Sequence, residues 1–311
     1  MTKITIVGAG AVGATTAYAL LLEHLAREIV IVDINKDKAE GEALDLENGI
    51  PFVEYGKVIG TTDYKLTRNS DIVVITAGLP QKPGETRLDL VEKNAKIMKG
   101  ICGELKKYTP NSIFLFVSNP VDVLTYLGKK MLGVPEHKVF GSGTTLDTAR
   151  LRHYTSSALN IHPINIHAYV FGEHGDHSFA AWSNASVATT PITQMLSKDK
   201  LTAIEDEVRD TAYKIIQKKG ATFYAIGLAV AKICKAITGD KQRVMMLSTI
   251  PKEYGITGCC LSVPCIVGKE GIKKVIEVKL SASEIKKLKK AGEVLKEYSK
   301  KGMNAIKKRK N

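Results

Sequence analysis

The chain has 311 residues, 44% of them hydrophobic and 25% charged, which suits a globular protein able to bury one large core or two smaller ones. No run of eighteen apolar residues occurs, so no membrane span is expected. The opening MTKITIVGAG lacks the long apolar region and cleavage site of a secretory leader, so a cytoplasmic protein is expected.

The net charge of +13 raises the question of a nucleic-acid partner. From Lys269 onward there are 15 Lys and Arg against 5 Asp and Glu, and before it only 30 against 27. In that basic stretch Ile285, Leu288, Ala291, Leu295 and Tyr298 recur at helical steps, so the lysines are expected to cover the wet face of a docked helix. No aromatic interleaving accompanies them, and no nucleic acid is expected. Cys102, Cys234, Cys259, Cys260 and Cys265 sit among apolar neighbours without a C-x-x-C pair, which predicts reduced, buried thiols and no metal.

In chain order, TKITIVGAG, EIVIVDI, KVIGTT, DIVVITAG and SIFLFVS are apolar throughout, as strands of a parallel sheet covered on both faces are. Helical patterns lie between most of them, including Ala11 to Leu25 and Leu88 to Lys107. The spacing predicts an α/β, Rossmann-type parallel sheet over residues 1–140. From residue 141 to 311 the pattern becomes α+β. Helices are predicted from Asp147 to Ala158, Asp199 to Lys219 and Ala225 to Ile237, followed by the strands RVMMLSTI, CCLSVPCIVG and KKVIEVKL and a terminal helix.

Gly8, Gly10 and Gly13 form G-x-G-x-x-G between the first strand and the first helix. Backbone there can approach a pyrophosphate, and the helix N-terminus favours its charge. The second strand ends in Asp33, whose carboxylate can accept hydrogen bonds from an adenosine ribose and would repel a 2′-phosphate. NAD is therefore expected rather than NADP.

Transfer of a hydride to a 2-keto acid needs a cation for the carboxylate, a polarised carbonyl and a proton for the nascent alkoxide. LDTAR carries Asp147 and Arg150 on one helix face, and GEHGD carries His174. An aspartate bonded to a histidine would fix its tautomer and raise its pKa toward neutrality. Read alone, GEHGD is equally a polar turn and Asp147–Arg150 an ordinary helix ion pair.

GAGAVG, VSNPVD, GSGTTLDTARLR and HAYVFGEHGD, in this order, resemble the L-lactate/malate dehydrogenase family over nearly the whole chain. The resemblance implies that His174 donates and accepts the proton with Asp147 as its partner. It further implies that Arg150 clamps the substrate carboxylate and Arg87 polarises the carbonyl. Asn119 is implied to meet both substrate and cofactor, and Val12, Lys38, Tyr64 and Gly78 to lie near the NAD.

Within the family, the loop position held here by Gln81 carries arginine in malate enzymes and glutamine in lactate enzymes. Closing a dry site over an unpaired second carboxylate would cost several kcal/mol, about the penalty of burying a lone charge. Thr222, in KGATFYA, and Glu85 also resemble the lactate branch, whereas Leu79-Pro80 resembles the malate branch. The expectation is pyruvate and L-lactate as substrates; the alternatives are a malate dehydrogenase and a non-catalytic binding protein on the same fold. Arg152 and His167 resemble the pair that holds fructose 1,6-bisphosphate between subunits in allosteric bacterial members, and a homotetramer is implied.

Overall fold

The computed structural model describes residues 2–80 and 87–307, the side chains of Arg87 and Leu88 excepted. Six short runs rich in Val, Ile and Phe form its first half: β1 (Lys3–Val7), β2 (Glu28–Val32), β3 (Val58–Thr61), β4 (Ile72–Ile75), β5 (Ile113–Phe116) and β6 (Val139–Gly141). They pair in parallel in the order β3-β2-β1-β4-β5-β6. Most of these residues are buried, because α1 (Ala11–Leu22), α2 (Lys36–Asn48), α3 (Arg87–Tyr108) and α4 (Val121–Leu132) supply the crossover connections that cover the sheet. The strand order reverses between β1 and β4. Open α/β sheets bind ligands at such a switch point, beyond the carboxyl ends of the strands.

The second half continues with α5 (Thr145–Leu159), β7 (Ile166–His167), β8 (Val170–Gly172), β9 (Ser178–Ala180), β10 (Ser186–Val187) and β11 (Thr190–Pro191). Then come α6 (Ile192–Met195), α7 (Lys198–Lys219), α8 (Tyr224–Thr238), β12 (Arg243–Thr249), β13 (Leu261–Gly268), β14 (Gly271–Val275) and α9 (Ala282–Lys307). The parallel sheet does not stop at β6. Ser248 of β12 pairs antiparallel with Gly141, and β13, β8 and β9 extend the same sheet. One hydrophobic cluster therefore spans both halves, from Ile4 and Ile72 to Leu247 and Val263. A second, smaller cluster around Leu151, Ile166 and Val208 lies under α5 and α7.

Two element ends and one helix face differ most from expectation. The first helix ends at Leu22, because His24 adopts φ 52° and the Leu25 N–H turns back to the Leu20 carbonyl at 3.0 Å. The strand expected over KKVIEVKL starts at Gly271 and ends at Val275. There Ile276 N–H bonds the Pro264 carbonyl, but Pro264 has no N–H to return. On α9, Leu288, Ala291 and Leu295 are buried as expected and Tyr298 is partly so, but Ile285 is 39% exposed. The buried stripe instead continues through Ser299, Gly302, Ala305 and Ile306, where the helix packs on α3 and α4.

Close packing of α4 on β5 fixes the segment between them, residues 117–120. At Gly128 an added Cβ would lie 2.2 Å from the Phe116 ring, which is fully buried. Gly128→Ala is expected to destabilise the fold by about 1–3 kcal/mol, the usual range for overpacking, read as a lower midpoint in thermal or urea unfolding.

Candidate active site

The glycine-rich turn sits at the carboxyl end of β1. Gly8 has φ +113°, and a Cβ there would lie 2.7 Å from the Ala77 nitrogen. At Gly13 a Cβ would meet the Gly8 carbonyl at 1.9 Å, so only glycine lets α1 pack this tightly on the turn. A Cβ at Gly10 would meet nothing within 4 Å, and no side chain caps α1, so the first N–H groups of that helix are left to an external acceptor. Asp33 closes one side. Its carboxylate accepts from Ala9 N–H at 2.7 Å and from Asn35 N–H at 2.9 Å. Val12 is half-buried in α1, Lys38 is exposed in the first turn of α2, and Tyr64 is half-buried after β3. These groups fit a dinucleotide: open donors for the phosphates and a carboxylate at the end of β2 for the ribose.

The chemical end is built around one aspartate. Helix α5 begins at Thr145 and places Asp147 and Arg150 three residues apart, both nearly buried. Asp147 accepts from the Arg150 guanidinium at 3.0 Å through Oδ1 and meets His174 Nδ1 at 2.6 Å through Oδ2. His174 comes from the turn between β8 and β9, with 28% of its side chain exposed. The Asp147 charge lifts the His174 imidazole above its ordinary pKa against the opposing effect of burial. Burial alone would raise Asp147, but the charges and hydrogen bonds of His174 and Arg150 together hold it below the usual carboxylate range. An ionised carboxylate, a guanidinium and a protonatable imidazole thus share one corner. This arrangement can orient an anion and move a proton.

A second buried carboxylate supports the first pair. Asp122, in α4, accepts from the His174 backbone N–H at 2.8 Å and from the Ser248 hydroxyl at 2.5 Å. Burial pushes its carboxyl up to about 7, despite these two donors. It ties α4, the His174 turn and β12 together. Asp122 stands in the VSNPVD motif, but nothing in the sequence points to Ser248. The same turn carries another imidazole–carboxylate contact, His177 Nδ1 to Glu173 at 2.6 Å.

Asn119 is exposed at the carboxyl end of β5, and the Asn119–Pro120 peptide is cis. Gly78 is exposed just beyond β4, where a Cβ would touch Ser118 at 3.4 Å. Thr222 is half-buried two residues before α8, a helix packed against α1 and α5. Gln81, Lys82, Pro83, Gly84 and Glu85 lie outside the described residues, as does the side chain of Arg87, whose backbone opens α3. Arg152 and His167 share one surface. Arg152 Nε donates to the Ala168 carbonyl at 3.2 Å and its guanidinium lies over the Tyr169 ring, while His167 is exposed beside them.

Residues 2–141 match the lactate/malate dehydrogenase NAD binding domain, and residues 144–306 match the lactate/malate dehydrogenase alpha/beta C-terminal domain. The chain belongs to the lactate/malate dehydrogenase family. It is 49% identical over 304 residues to an L-lactate dehydrogenase of Kosmotoga olearia, covering 94% of each chain. It is 48% identical over 303 residues to an L-lactate dehydrogenase of Clostridium botulinum (strain Loch Maree), covering 95% of each. Among solved structures it is similar to a lactate dehydrogenase from a Medee basin deep-sea metagenome library, with TM-score 0.93, 39% identity and coverage of 97% of this chain and 99% of that one. The minor L-lactate dehydrogenase of Enterococcus mundtii gives TM-score 0.92 and 39% identity, over 96% of this chain and 98% of that one. NAD is the cofactor of this family member, and the Gly8–Gly13 turn with Asp33 stands in the matched NAD-binding half.

Asp147→Asn removes the charge that lifts His174. The His174 titration, followed by NMR of the ring protons, is expected to move to lower pH in that variant; an unmoved titration would contradict the pairing.

Proposed function

We propose that this chain is an NAD-dependent L-lactate dehydrogenase that interconverts pyruvate and L-lactate. The observation that carries the reading is the Asp147 carboxylate shared between Arg150 and His174 at 3.0 and 2.6 Å. The relatives named L-lactate dehydrogenase at 48–49% identity support it. Residues 1–140 would hold the cofactor, and residues 141–311 would supply the acid–base pair.

Bound NADH supplies the hydride. Arg150, held by Asp147 on one side, offers its remaining guanidinium donors to the substrate carboxylate. His174 binds its proton more firmly because Asp147 is ionised beside it, and it gives that proton to the alkoxide oxygen as the carbonyl is reduced. In the reverse direction the neutral imidazole takes the proton back. Asp122 holds the His174 backbone, so the imidazole approaches from a fixed direction. Arg87 polarises the carbonyl, and Asn119 meets substrate and cofactor at the end of β5. Gln81 faces the methyl group and Thr222 lines the floor of the pocket. Val12, Lys38, Tyr64 and Gly78 border the cofactor.

Steady-state kcat/KM with NADH is expected to favour pyruvate over oxaloacetate, and Gln81→Arg to move the preference toward oxaloacetate. A wild-type preference for oxaloacetate would make this a malate dehydrogenase. Absence of turnover with either acid would leave only a binding protein.

Three finer features belong to the same reading. The enzyme assembles as a homotetramer, which the exposed apolar Tyr18 and Leu22 on α1 and Tyr224 and Leu228 on the adjoining α8 support as interface side chains. It works in the cytoplasm, in keeping with five free, buried cysteines. Arg152 and His167 hold fructose 1,6-bisphosphate across a twofold axis, so the bisphosphate offsets repulsion between facing cations and favours the active assembly. Millimolar fructose 1,6-bisphosphate is expected to shift pyruvate saturation curves to lower concentration. Curves unchanged at several pH values would rule the activator out.

A further inference from the structure

Asn94 sits inside α3 with no exposed surface, yet its carboxamide serves no helix. Its oxygen accepts from Leu79 N–H at 2.8 Å, and its nitrogen donates to the Leu79 carbonyl at 3.1 Å and to the Asn119 carbonyl at 2.8 Å. One side chain therefore satisfies both backbone groups of Leu79 and binds the segment at the end of β5 to the segment at the end of β4. One step earlier, Ser118 makes a parallel tie, donating to the Ala77 carbonyl at 2.6 Å. The two ties flank Gly78, and the sheet ladder has already ended at Ile75. Beyond it, the described contacts to the backbone of Leu79 come from this one amide.

We propose that Asn94 is a positioning residue for keto-acid selection, an inference that rests on the function proposed above. It fixes where the chain leaves the sheet two residues ahead of Gln81, and it fixes that point relative to Asn119. The backbone at Leu79 and the backbone of Asn119, the residue assigned to the substrate, are thus tied to one buried amide. A buried, doubly anchored backbone keeps its direction; with the amide removed, the Leu79 N–H and carbonyl must find water and the segment shifts. Asn94 touches no reacting atom. It acts through Leu79 and Asn119.

The test uses the full-length enzyme and two variants. Asn94→Ala removes all three bonds; Asn94→Asp keeps the volume and one acceptor but sets a carboxylate against two carbonyls. In both, pyruvate KM is expected to rise and the pyruvate-to-oxaloacetate ratio of kcat/KM to fall by about tenfold, the scale of one or two lost buried hydrogen bonds. The NADH dissociation constant, read by fluorescence, should stay within about twofold, because the Gly8–Gly13 turn is untouched. A fall in kcat alone, with KM and the ratio as in wild type, would mean a merely structural amide and overturns the proposal. Amide hydrogen exchange at Leu79 supplies a readout without turnover: protected in wild type, and about tenfold faster or more in the variants. An unprotected Leu79 in wild type overturns the anchor even if neither variant folds. Wild-type turnover of pyruvate tests the proposed function separately, so failure of one is not mistaken for failure of the other.

Discussion

Taking a carboxylate out of water costs several kcal/mol unless its oxygens are matched by charged or strongly donating partners. Asp147 is 7% exposed and both its oxygens are committed, one to Arg150 and one to His174. The consequences run outward from that pairing. Arg150 can sit buried because its charge is met within its own helix, and His174 binds its proton more firmly because the ionised carboxylate lies beside it. The turn that delivers His174 must then be held in register with α5, which falls to Asp122 and Ser248 from α4 and β12. Four separated pieces of chain converge on two buried carboxylates.

The same convergence accompanies a main sheet that runs through both halves, with β11, β10 and β7 forming a separate three-stranded sheet. The matched family regions meet between residues 141 and 144, where the sheet changes from parallel to antiparallel. The chain turns there through Gly143, at φ +51°, and Thr144 N–H is caught by the Ser262 hydroxyl at 3.0 Å. The cofactor turn and the acid–base pair come from opposite sides of this seam. Because the main sheet runs unbroken across it, the proposed hydride donor and proton donor share one framework, as a single reaction on one carbonyl requires.

What was legible in the sequence was local. Gly8, Gly10, Gly13 and Asp33 can be read because a strand, a turn and a helix within one crossover carry their meaning. Asp147 and Arg150 can be read because three residues in a helix is one face. His174 needed the resemblance, since a polar turn and a proton carrier look alike until the partner 27 residues away is in contact. Asp122, Ser248 and Asn94 escaped for the same reason: Asp122 meets its partners across 52 and 126 residues, and Asn94 its partners across 15 and 25. Hydrophobic pattern located the elements but not their ends. The first helix stops short of Leu25 at a left-handed residue, the last strand stops at Val275 opposite a proline without an N–H, and Ile285 stays exposed on α9.

Selection among keto acids follows from the same local physics. Net charge does not decide it, because distant solvent-exposed cations are screened by water and salt, whereas a desolvated carboxylate needs charged or donating groups in contact with it. Arg150 can satisfy one carboxylate at one end of a small acid. Its fixed place on α5, set by Asp147, stops it from reaching the other end. A dicarboxylic acid would need a second donor set at that far end, where the resemblance sets the uncharged Gln81. An acid with a methyl group there loses nothing, while one with a carboxylate would pay the full desolvation cost. A neutral residue can discriminate in this way only if its backbone does not drift toward a compensating arrangement. On the proposed reading, selectivity at Gln81 depends on how firmly the backbone ahead of it is held, and the buried amide of Asn94 holds Leu79 from inside α3.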